Sequence, residues 1–364
     1  MGAESTGAQS ATSDGSADGT TTIGPYELPP SRFMSPESQA TLPQVIGAYK
    51  RASPDQVVKD AIADDVSESA GVLAMEKEYP VSIREQYVGG VRTRIVEPAG
   101  GVPPENKKLV LLNVHEGGFF VGANALALID SIPIAATAKI RVITIDYREG
   151  PNHRYPEGTD DVVSVYRVVL QTTSSRNIGM FGCSSGGSLT AMVAARLQTE
   201  GLPQLGAIGI LSAGAFADWS GDPQQKGTWG GDSAYSAAAA GLTGLPVPSV
   251  HNFVRSVPAI AAKYLQDVDV TAPEASPAEW PQKLAQFPPS LILTGTRSFD
   301  MSAAIETHRR LINAGVDAEL HVWDGMWHCF TADATLPESR EAYSVIGKFF
   351  HKHLGKGRSV PNKR

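Results

Sequence analysis

The chain has 364 residues, a formal net charge of −7 and 42% apolar side chains. This acidic balance gives no electrostatic reason to expect a nucleic acid or an anionic membrane as partner. No uninterrupted apolar run approaches the roughly 20 residues that cross a bilayer, so the sequence predicts no membrane span.

The cysteine and histidine content argues against a metal centre. Cys183 and Cys329 are the two cysteines of the chain, too few for a disulfide framework and without the spacing of metal ligands. We therefore expect both to be small apolar core residues. The eight histidines are scattered along the chain. Neither a metal nor another cofactor is predicted.

The N-terminal part of the chain divides into a polar tail and helical segments. Residues 1–22 are rich in Gly, Ser, Thr and Ala and have little to bury, which predicts a disordered tail. No signal peptide is present in the chain as given, so cytoplasmic and exported locations both stay open. Between residues 36 and 64 the apolar residues have helical spacing, with Leu42, Val45 and Ile46 on one stripe.

Further along, short apolar runs alternate with helical segments. A glycine-punctuated strand pattern at 85–100 comes first. The runs that predict buried strands are 108–114, 140–146, 177–181, 207–211, 291–295 and 318–323. Helical segments lie between most of them, as at 160–170 and 188–199, and an amphipathic helix closes the chain at 337–354. This alternation predicts a parallel sheet covered by helices on both faces.

Residues 216–285 break the alternation. They are rich in Gly, Ala, Pro and Trp and contain one helix-like piece near 257–267. A structureless insertion of this length is uncommon inside a compact domain. We therefore expect it to fold as a lid together with the N-terminal helices.

A serine between glycines lies at a predicted strand-to-helix turn. Gly182, Ser184 and Gly186 fit the pattern G-x-S-x-G, with an apolar run before them and an alanine-rich helical segment after them. A serine held in such a tight turn needs small residues two positions before and two positions after it. The context favours a nucleophile at Ser184 over an ordinary serine in a glycine-rich loop.

A nucleophilic serine also needs a base and hydrogen-bond donors for the oxyanion. His328 directly follows the last predicted strand and is the candidate base. Gly117 and Gly118 follow the strand at 108–114, and Ser185 follows the nucleophile. We expect the backbone N–H groups of these three residues to form the oxyanion hole, with added positive charge from the start of the helix.

Four segments resemble those of the bacterial hormone-sensitive-lipase-like (family IV) esterases of the α/β-hydrolase fold. They are "HEGGFF", "DYREGPNHRYPEGTDDVVSVYR", "GCSSGG" and "GMWHCF". The resemblance implies a mostly parallel eight-stranded sheet with helices on both faces, a helical cap, and cofactor-free hydrolysis of a small-molecule ester. The domains it implies are cap helices at 23–83, a catalytic core at 84–215 and 286–356, a cap insertion at 216–285, and a C-terminal tail at 357–364.

The catalytic acid departs from the family pattern. Ser298 stands where the resemblance places the acid, and Asp300 follows two residues later. A serine can orient an imidazole but cannot stabilise the imidazolium formed during reaction. We therefore take Asp300 as the candidate acid, with Asp218 or no carboxylate at all as open alternatives. Asp324 is expected to structure the loop before His328.

Glu116 is the second departure, because it replaces the first glycine of the family's H-G-G-G segment. A carboxylate aimed at the oxyanion would oppose its charge. We expect the side chain to point away and to pair with a cation or a buried N–H, or else to tune which substrate enters. Arg148 and Asp161 are expected to form a structural ion pair behind the site.

The sequence favours a serine esterase acting on short- to medium-chain esters. Its predicted substrate-binding residues are Phe119, Trp327 and Met301. Two other functions stay open. The altered acid segment and Glu116 favour a ligand-binding protein on an impaired hydrolase scaffold, and an acyltransferase would use the same acyl-enzyme with an alcohol in place of water. The oligomeric state is also open, with a homodimer as one option.

Overall fold

In the computed structural model, the described residues are 28–51, 63, 65–66, 69–217 and 264–355. The predicted tails at 1–22 and 357–364 lie outside them, as do residues 218–263 of the predicted cap insertion. The rest of that insertion contains the short helix α6 (Pro281–Leu284). Its Ala278 N–H donates to the carbonyl of Ala215, so this part packs directly on the core.

One eight-stranded sheet runs through the described residues, with the order β1-β2-β4-β3-β5-β6-β7-β8. Its strands are β1 Val81–Val88, β2 Val91–Pro98, β3 Val110–Val114, β4 Arg141–Ile145, β5 Ile178–Cys183, β6 Ala207–Leu211, β7 Ser290–Gly295 and β8 Ala318–Trp323. Strand β2 pairs antiparallel with β1 and with β4, and the remaining pairs are parallel. The predicted α/β fold with a mostly parallel sheet is confirmed.

Helices cover both faces of the sheet. Besides α6, they are α1 Pro36–Arg51, α2 Ala70–Glu78, α3 Ala125–Ala138, α4 Glu157–Leu170, α5 Ser185–Thr199, α7 Met301–Asn313 and α8 Pro337–His353. Neighbouring residues of a strand point to opposite faces. In β3, Leu112 belongs to the core under α4, α5 and α7, whereas Leu111 belongs to the core under α2, α3 and α8. Each described helix is too short or too polar to cross a lipid bilayer.

The parallel strands bring the loops that carry the predicted site residues to one edge of the sheet. The segments after β3, β5, β7 and β8 all leave the carboxyl ends of their strands, where open α/β sheets place their binding sites.

Arg148 and Asp161 form an ion pair, in which the backbone N–H and the guanidinium of Arg148 donate to the carboxylate of Asp161. The predicted structural ion pair is therefore confirmed.

The two cysteines are bonded to each other, so the expectation of two unpaired apolar core residues is wrong. Cys183 ends β5, Cys329 lies in the loop after β8, and the bond joins positions 146 residues apart. Both are buried, as expected for apolar residues. Each cysteine adjoins a residue predicted to act in catalysis, Ser184 or His328. That adjacency is the sequence signal that could have indicated their contact.

Candidate active site

Ser184 occupies the turn between β5 and α5. Its backbone has φ 54° and ψ −125°, a conformation that is unusual for a residue with a side chain and that stores strain. The turn is held by the Ser184 N–H, which donates to the carbonyl of Leu211 at 2.9 Å, and by the Gly187 N–H, which donates to the carbonyl of Ser184 at 2.9 Å. The serine hydroxyl is thereby presented at the edge of the sheet.

The glycines on either side of Ser184 are required by close backbone contacts. A Cβ atom on Gly186 would lie 1.9 Å from the carbonyl oxygen of Val114. A Cβ atom on Gly182 would lie 2.4 Å from that same oxygen and 2.4 Å from the carbonyl carbon of Gly186. The pattern G-x-S-x-G therefore reflects the tight packing of the turn against the end of β3.

Ser184, His328 and Asp300 form a continuous chain of hydrogen bonds. The Ser184 hydroxyl lies 2.9 Å from Nε2 of His328. Nδ1 of the same imidazole lies 2.8 Å from Oδ1 of Asp300. The Asp300 carboxylate is fully buried, and its second oxygen accepts a hydrogen bond from Thr294 Oγ1 at 2.6 Å. The structure thus brings together the three residues that the sequence proposes as nucleophile, base and acid.

Ser298 lies beside this chain and does not take the place of the acid. Its hydroxyl forms a very short hydrogen bond with Oδ1 of Asp300 and lies 3.2 Å from Nδ1 of His328. Asp300 immediately precedes α7, which leaves its carboxylate pointing back toward the imidazole. The alternative acid Asp218 lies outside the described residues.

The loop that carries His328 is anchored to the loop after β7. The Arg297 N–H donates to the carbonyl of Met326 at 2.9 Å, and Thr296 Oγ1 donates to Asp324 at 3.0 Å. The contact of Asp324 agrees with its expected role in structuring this loop. The Phe299 ring, which the sequence does not single out, stacks on the His328 imidazole with 4.1 Å between centroids. These contacts fix the orientation of the imidazole from the acid side.

The loop after β3 adopts glycine-specific backbone angles, with φ 115° at Gly117 and 65° at Gly118. A Cβ atom on Gly117 would lie 1.5 Å from the carbonyl oxygen of Val121, so no other residue fits. No oxygen of the described residues accepts a hydrogen bond from the N–H of Gly117, Gly118 or Ser185. These three N–H groups are therefore available as the predicted oxyanion donors.

Glu116 is buried beside this loop, with 8% of its surface exposed. Burial, with a contribution from the nearby Asp130, raises the pKa of Glu116 well above its usual range. No cation of the described chain lies within ion-pair distance of its carboxyl group, so the expected pairing with a cation is wrong. The raised pKa favours the neutral form of this carboxyl group, which lessens the predicted conflict with an oxyanion.

Glu116 also forms part of a cluster with metal-ligand spacing. Its carboxylate and the sulfurs of Cys183 and Cys329 lie within 4.8 Å of one another, and this is the one such cluster among the described residues. Both sulfurs are used in the disulfide bond, so they are not thiolate ligands. The donor set therefore does not suit a metal ion.

Two of the three predicted substrate-binding residues are direct sequence neighbours of proposed catalytic residues. Met301 begins α7 directly after Asp300, and Trp327 directly precedes His328. Phe119 is 2% exposed, and its ring stacks on that of Tyr264 with 4.7 Å between centroids. Tyr264 comes from the predicted cap insertion, so Phe119 links that insertion to the loop after β3. A direct role of these residues in binding stays a prediction.

A family profile described as the α/β-hydrolase fold matches residues 111–332. The chain belongs to this family. An esterase of Acinetobacter venetianus is 24% identical to this α/β hydrolase over 275 residues, 74% of this chain and 82% of the relative. A versiconal hemiacetal acetate esterase of Dothistroma septosporum is 26% identical over 296 residues, 79% of this chain and 85% of the relative.

Solved structures give the same result. The crystal structure of an esterase E25 has a TM-score of 0.76 and 27% identity, covering 92% of this α/β hydrolase and 98% of that chain. The crystal structure of an esterase from the bacterial hormone-sensitive lipase family has a TM-score of 0.66 and 26% identity. The match covers 87% of this chain and 99% of that chain. The predicted family resemblance and the predicted enzyme class, carboxylic ester hydrolase, are confirmed.

Proposed function

We propose that this α/β hydrolase is a serine carboxylesterase that cleaves short- to medium-chain esters through an acyl-enzyme on Ser184. The observation that carries the proposal is the chain of hydrogen bonds from Ser184 through His328 to Asp300, with distances of 2.9 and 2.8 Å. Nucleophile and base within hydrogen-bond reach, with the base oriented by a third group, are the geometric signature of an activated serine.

In the acylation step, His328 accepts the hydroxyl proton through Nε2 while Ser184 Oγ attacks the ester carbonyl carbon. This requires the tautomer with a proton on Nδ1, and Asp300 selects that tautomer by accepting its hydrogen bond. The buried carboxylate then stabilises the imidazolium. The protonated His328 donates its proton to the departing alcohol, which leaves the acyl group on Ser184.

The negative charge of the tetrahedral intermediate is stabilised by backbone donors. The N–H groups of Gly117, Gly118 and Ser185 would bind the oxyanion, supported by the start of α5. Burial raises the pKa of Glu116 beside them and so favours its neutral form, which adds no opposing charge. Water then attacks the acyl-enzyme with His328 as base, and the acid product leaves.

Short acyl chains are supported by two named relatives. Besides the versiconal hemiacetal acetate esterase, an acetyl-hydrolase of Streptomyces hygroscopicus is 25% identical over 259 residues, 70% of this chain and 79% of the relative. Both names specify an acetyl group. An acetyl or butyryl ester is therefore the first substrate to test.

The test is burst kinetics with p-nitrophenyl acetate, butyrate and octanoate, combined with intact-protein mass spectrometry. We expect a burst of one nitrophenol per chain, steady turnover and an acyl adduct on Ser184. Ser184→Ala should abolish all three, whereas the control Ser82→Ala, on the exposed edge strand β1, should not.

Each other outcome has a defined meaning. Full activity in Ser184→Ala would contradict the assignment of the nucleophile. A burst without turnover would favour a ligand-binding protein on an impaired scaffold. Transfer of the acyl group to added methanol in preference to water would favour an acyltransferase.

A further inference from the structure

The disulfide bond between Cys183 and Cys329 joins the two loops that carry the proposed nucleophile and base. Cys183 directly precedes Ser184, and Cys329 directly follows His328. In the sheet, β5 and β8 are separated by β6 and β7. The disulfide therefore links the end of β5 to the loop after β8, although these two strands do not pair directly with each other.

Besides the hydrogen bond between the Ser184 hydroxyl and Nε2 of His328, the two loops are connected through the end of β6. Ser184 donates its N–H to the carbonyl of Leu211, at the end of β6. Cys329 donates its N–H to the hydroxyl of the next residue, Ser212, at 3.1 Å. Both loops thus contact the end of β6, where Cys183 of β5 also pairs with Leu211. The disulfide is the one covalent connection between them.

The backbone on both sides of the bond is restrained in unusual conformations. Ser184 has φ 54° and Cys329 has φ 48°, and neither is glycine. Such conformations persist where the surroundings fix them firmly. The bond is also buried, with Cys183 1% and Cys329 7% exposed.

We propose that the Cys183–Cys329 disulfide is a positioning element of the active site, which keeps the Ser184 hydroxyl within hydrogen-bond reach of His328. This inference rests on the proposed serine mechanism. A misplacement of about 1 Å can lower an enzymatic rate about 100-fold. Cleavage of the bond therefore lowers the rate of acylation more than it weakens substrate binding.

The bond can be cleaved with dithiothreitol. The two thiols of that reagent transfer two electrons and two protons to the disulfide, giving two cysteine thiols and one cyclic disulfide of the reagent. Because the chain has two cysteines in all, thiol titration in denaturant gives an unambiguous count. We expect no free thiol per untreated chain and two after reduction.

The decisive measurement is the turnover rate per active site, determined with p-nitrophenyl butyrate. The sites are counted by titration with a fluorophosphonate, which reacts with the activated serine. The untreated protein is compared with its reduced form, its reoxidised form and Cys183→Ala/Cys329→Ala. We expect kcat per titrated site to fall about 10- to 100-fold on reduction and in the double variant, with KM within about threefold.

The controls separate positioning from simple loss of folding. Loss of folding reduces the number of titrated sites, whereas mispositioning reduces the rate at each site. Reoxidation should restore the kcat of the untreated wild type, and dithiothreitol should not change the kcat of the double variant.

Three results would overturn the inference. They are two free thiols in the untreated protein, retention of a metal ion by those thiols, and an unchanged kcat per site in the double variant. If the untreated, disulfide-bonded protein showed neither ester cleavage nor reaction with fluorophosphonate, the proposed function itself would be at fault.

Discussion

At the scale of single residues, the carboxylate of Asp300 and the hydroxyl of Ser298 both contact His328 but differ in charge. Asp300→Asn removes the negative charge and disturbs the tautomer, so we expect kcat to fall about 10³- to 10⁴-fold. Ser298→Ala removes a neutral hydrogen bond, worth about 1 kcal/mol, so we expect kcat to fall about fivefold. Steady-state kinetics on both variants measures the difference.

Two results would contradict this division of roles. An unaffected Asp300→Asn would return the acid role to Asp218 or to no carboxylate. Equal losses in the two variants would show that Ser298 is as important as the acid.

Glu116 gives a second prediction at this scale, because burial raises the pKa of its carboxyl group and so favours the neutral form. Glu116→Gln replaces one neutral group by another of similar shape. We expect kcat/KM at pH 7 to stay within about threefold of the wild type. The measurement is the ester cleavage rate of both proteins between pH 6 and 8. A tenfold or larger gain in the variant would show that Glu116 is ionised and opposes the oxyanion.

At the scale of elements, the turn between β5 and α5 depends on its contact with the end of β3. Gly186→Ala places a methyl group 1.9 Å from the carbonyl oxygen of Val114, so one of the two segments must move. We expect the free energy of unfolding to fall by at least about 2 kcal/mol, together with loss of activity. Denaturant unfolding measures this. The control is Gly100→Ala, where nothing lies within 4 Å of the added methyl group; equal stability of the two variants would contradict the argument.

The strands were predictable because each is a short, buried apolar run bounded by loop residues. The run at 108–114 corresponds to β3, Val110–Val114, and the run at 291–295 to β7, Ser290–Gly295. Helix α3 is harder to recognise. It is apolar on nearly all sides and contains Pro133, so its sequence lacks an amphipathic period.

The site was predictable where chemistry requires a local pattern, as at Ser184 and its flanking glycines. Sequence spacing could not decide whether Asp300, Asp218 or no carboxylate serves as the acid, because the choice depends on how the loop before α7 folds. The count of two cysteines did not predict the disulfide, whereas their positions next to Ser184 and His328 could have indicated it. The raised pKa of Glu116 depends on burial, which no local pattern specifies.

At the scale of the whole molecule, one sheet between two apolar cores holds the site, and it also buries an acidic pair. Asp130 and Glu116 share this environment, and Oδ2 of Asp130 is buried with no hydrogen-bond partner among the described residues. Burial raises the pKa of Asp130 from 3.8 to about 7. The free energy needed to ionise Asp130 in the folded protein therefore lowers the free energy of unfolding at pH values where Asp130 is ionised.

The sign of the pH dependence follows from linkage. Between pH 3.8 and about 7 the folded protein holds the Asp130 proton, whereas the unfolded chain releases it. Folding takes up a proton in this range. The stabilising contribution that Asp130 makes to the free energy of unfolding is therefore fully present below pH 3.8 and is lost as the pH rises through about 7. A buried Asp that must ionise thus destabilises the fold at alkaline pH.

Asp130→Asn removes this ionisation and keeps an oxygen that can accept a hydrogen bond. We expect the loss of unfolding free energy between pH 5 and pH 8 to be smaller in the variant by at least about 1 kcal/mol. Denaturant unfolding at both pH values gives this difference, with Glu105→Gln as the control because Glu105 is exposed. The same pH dependence in the wild type, the control and Asp130→Asn would show that Asp130 is already ionised in the folded state, which would contradict its raised pKa.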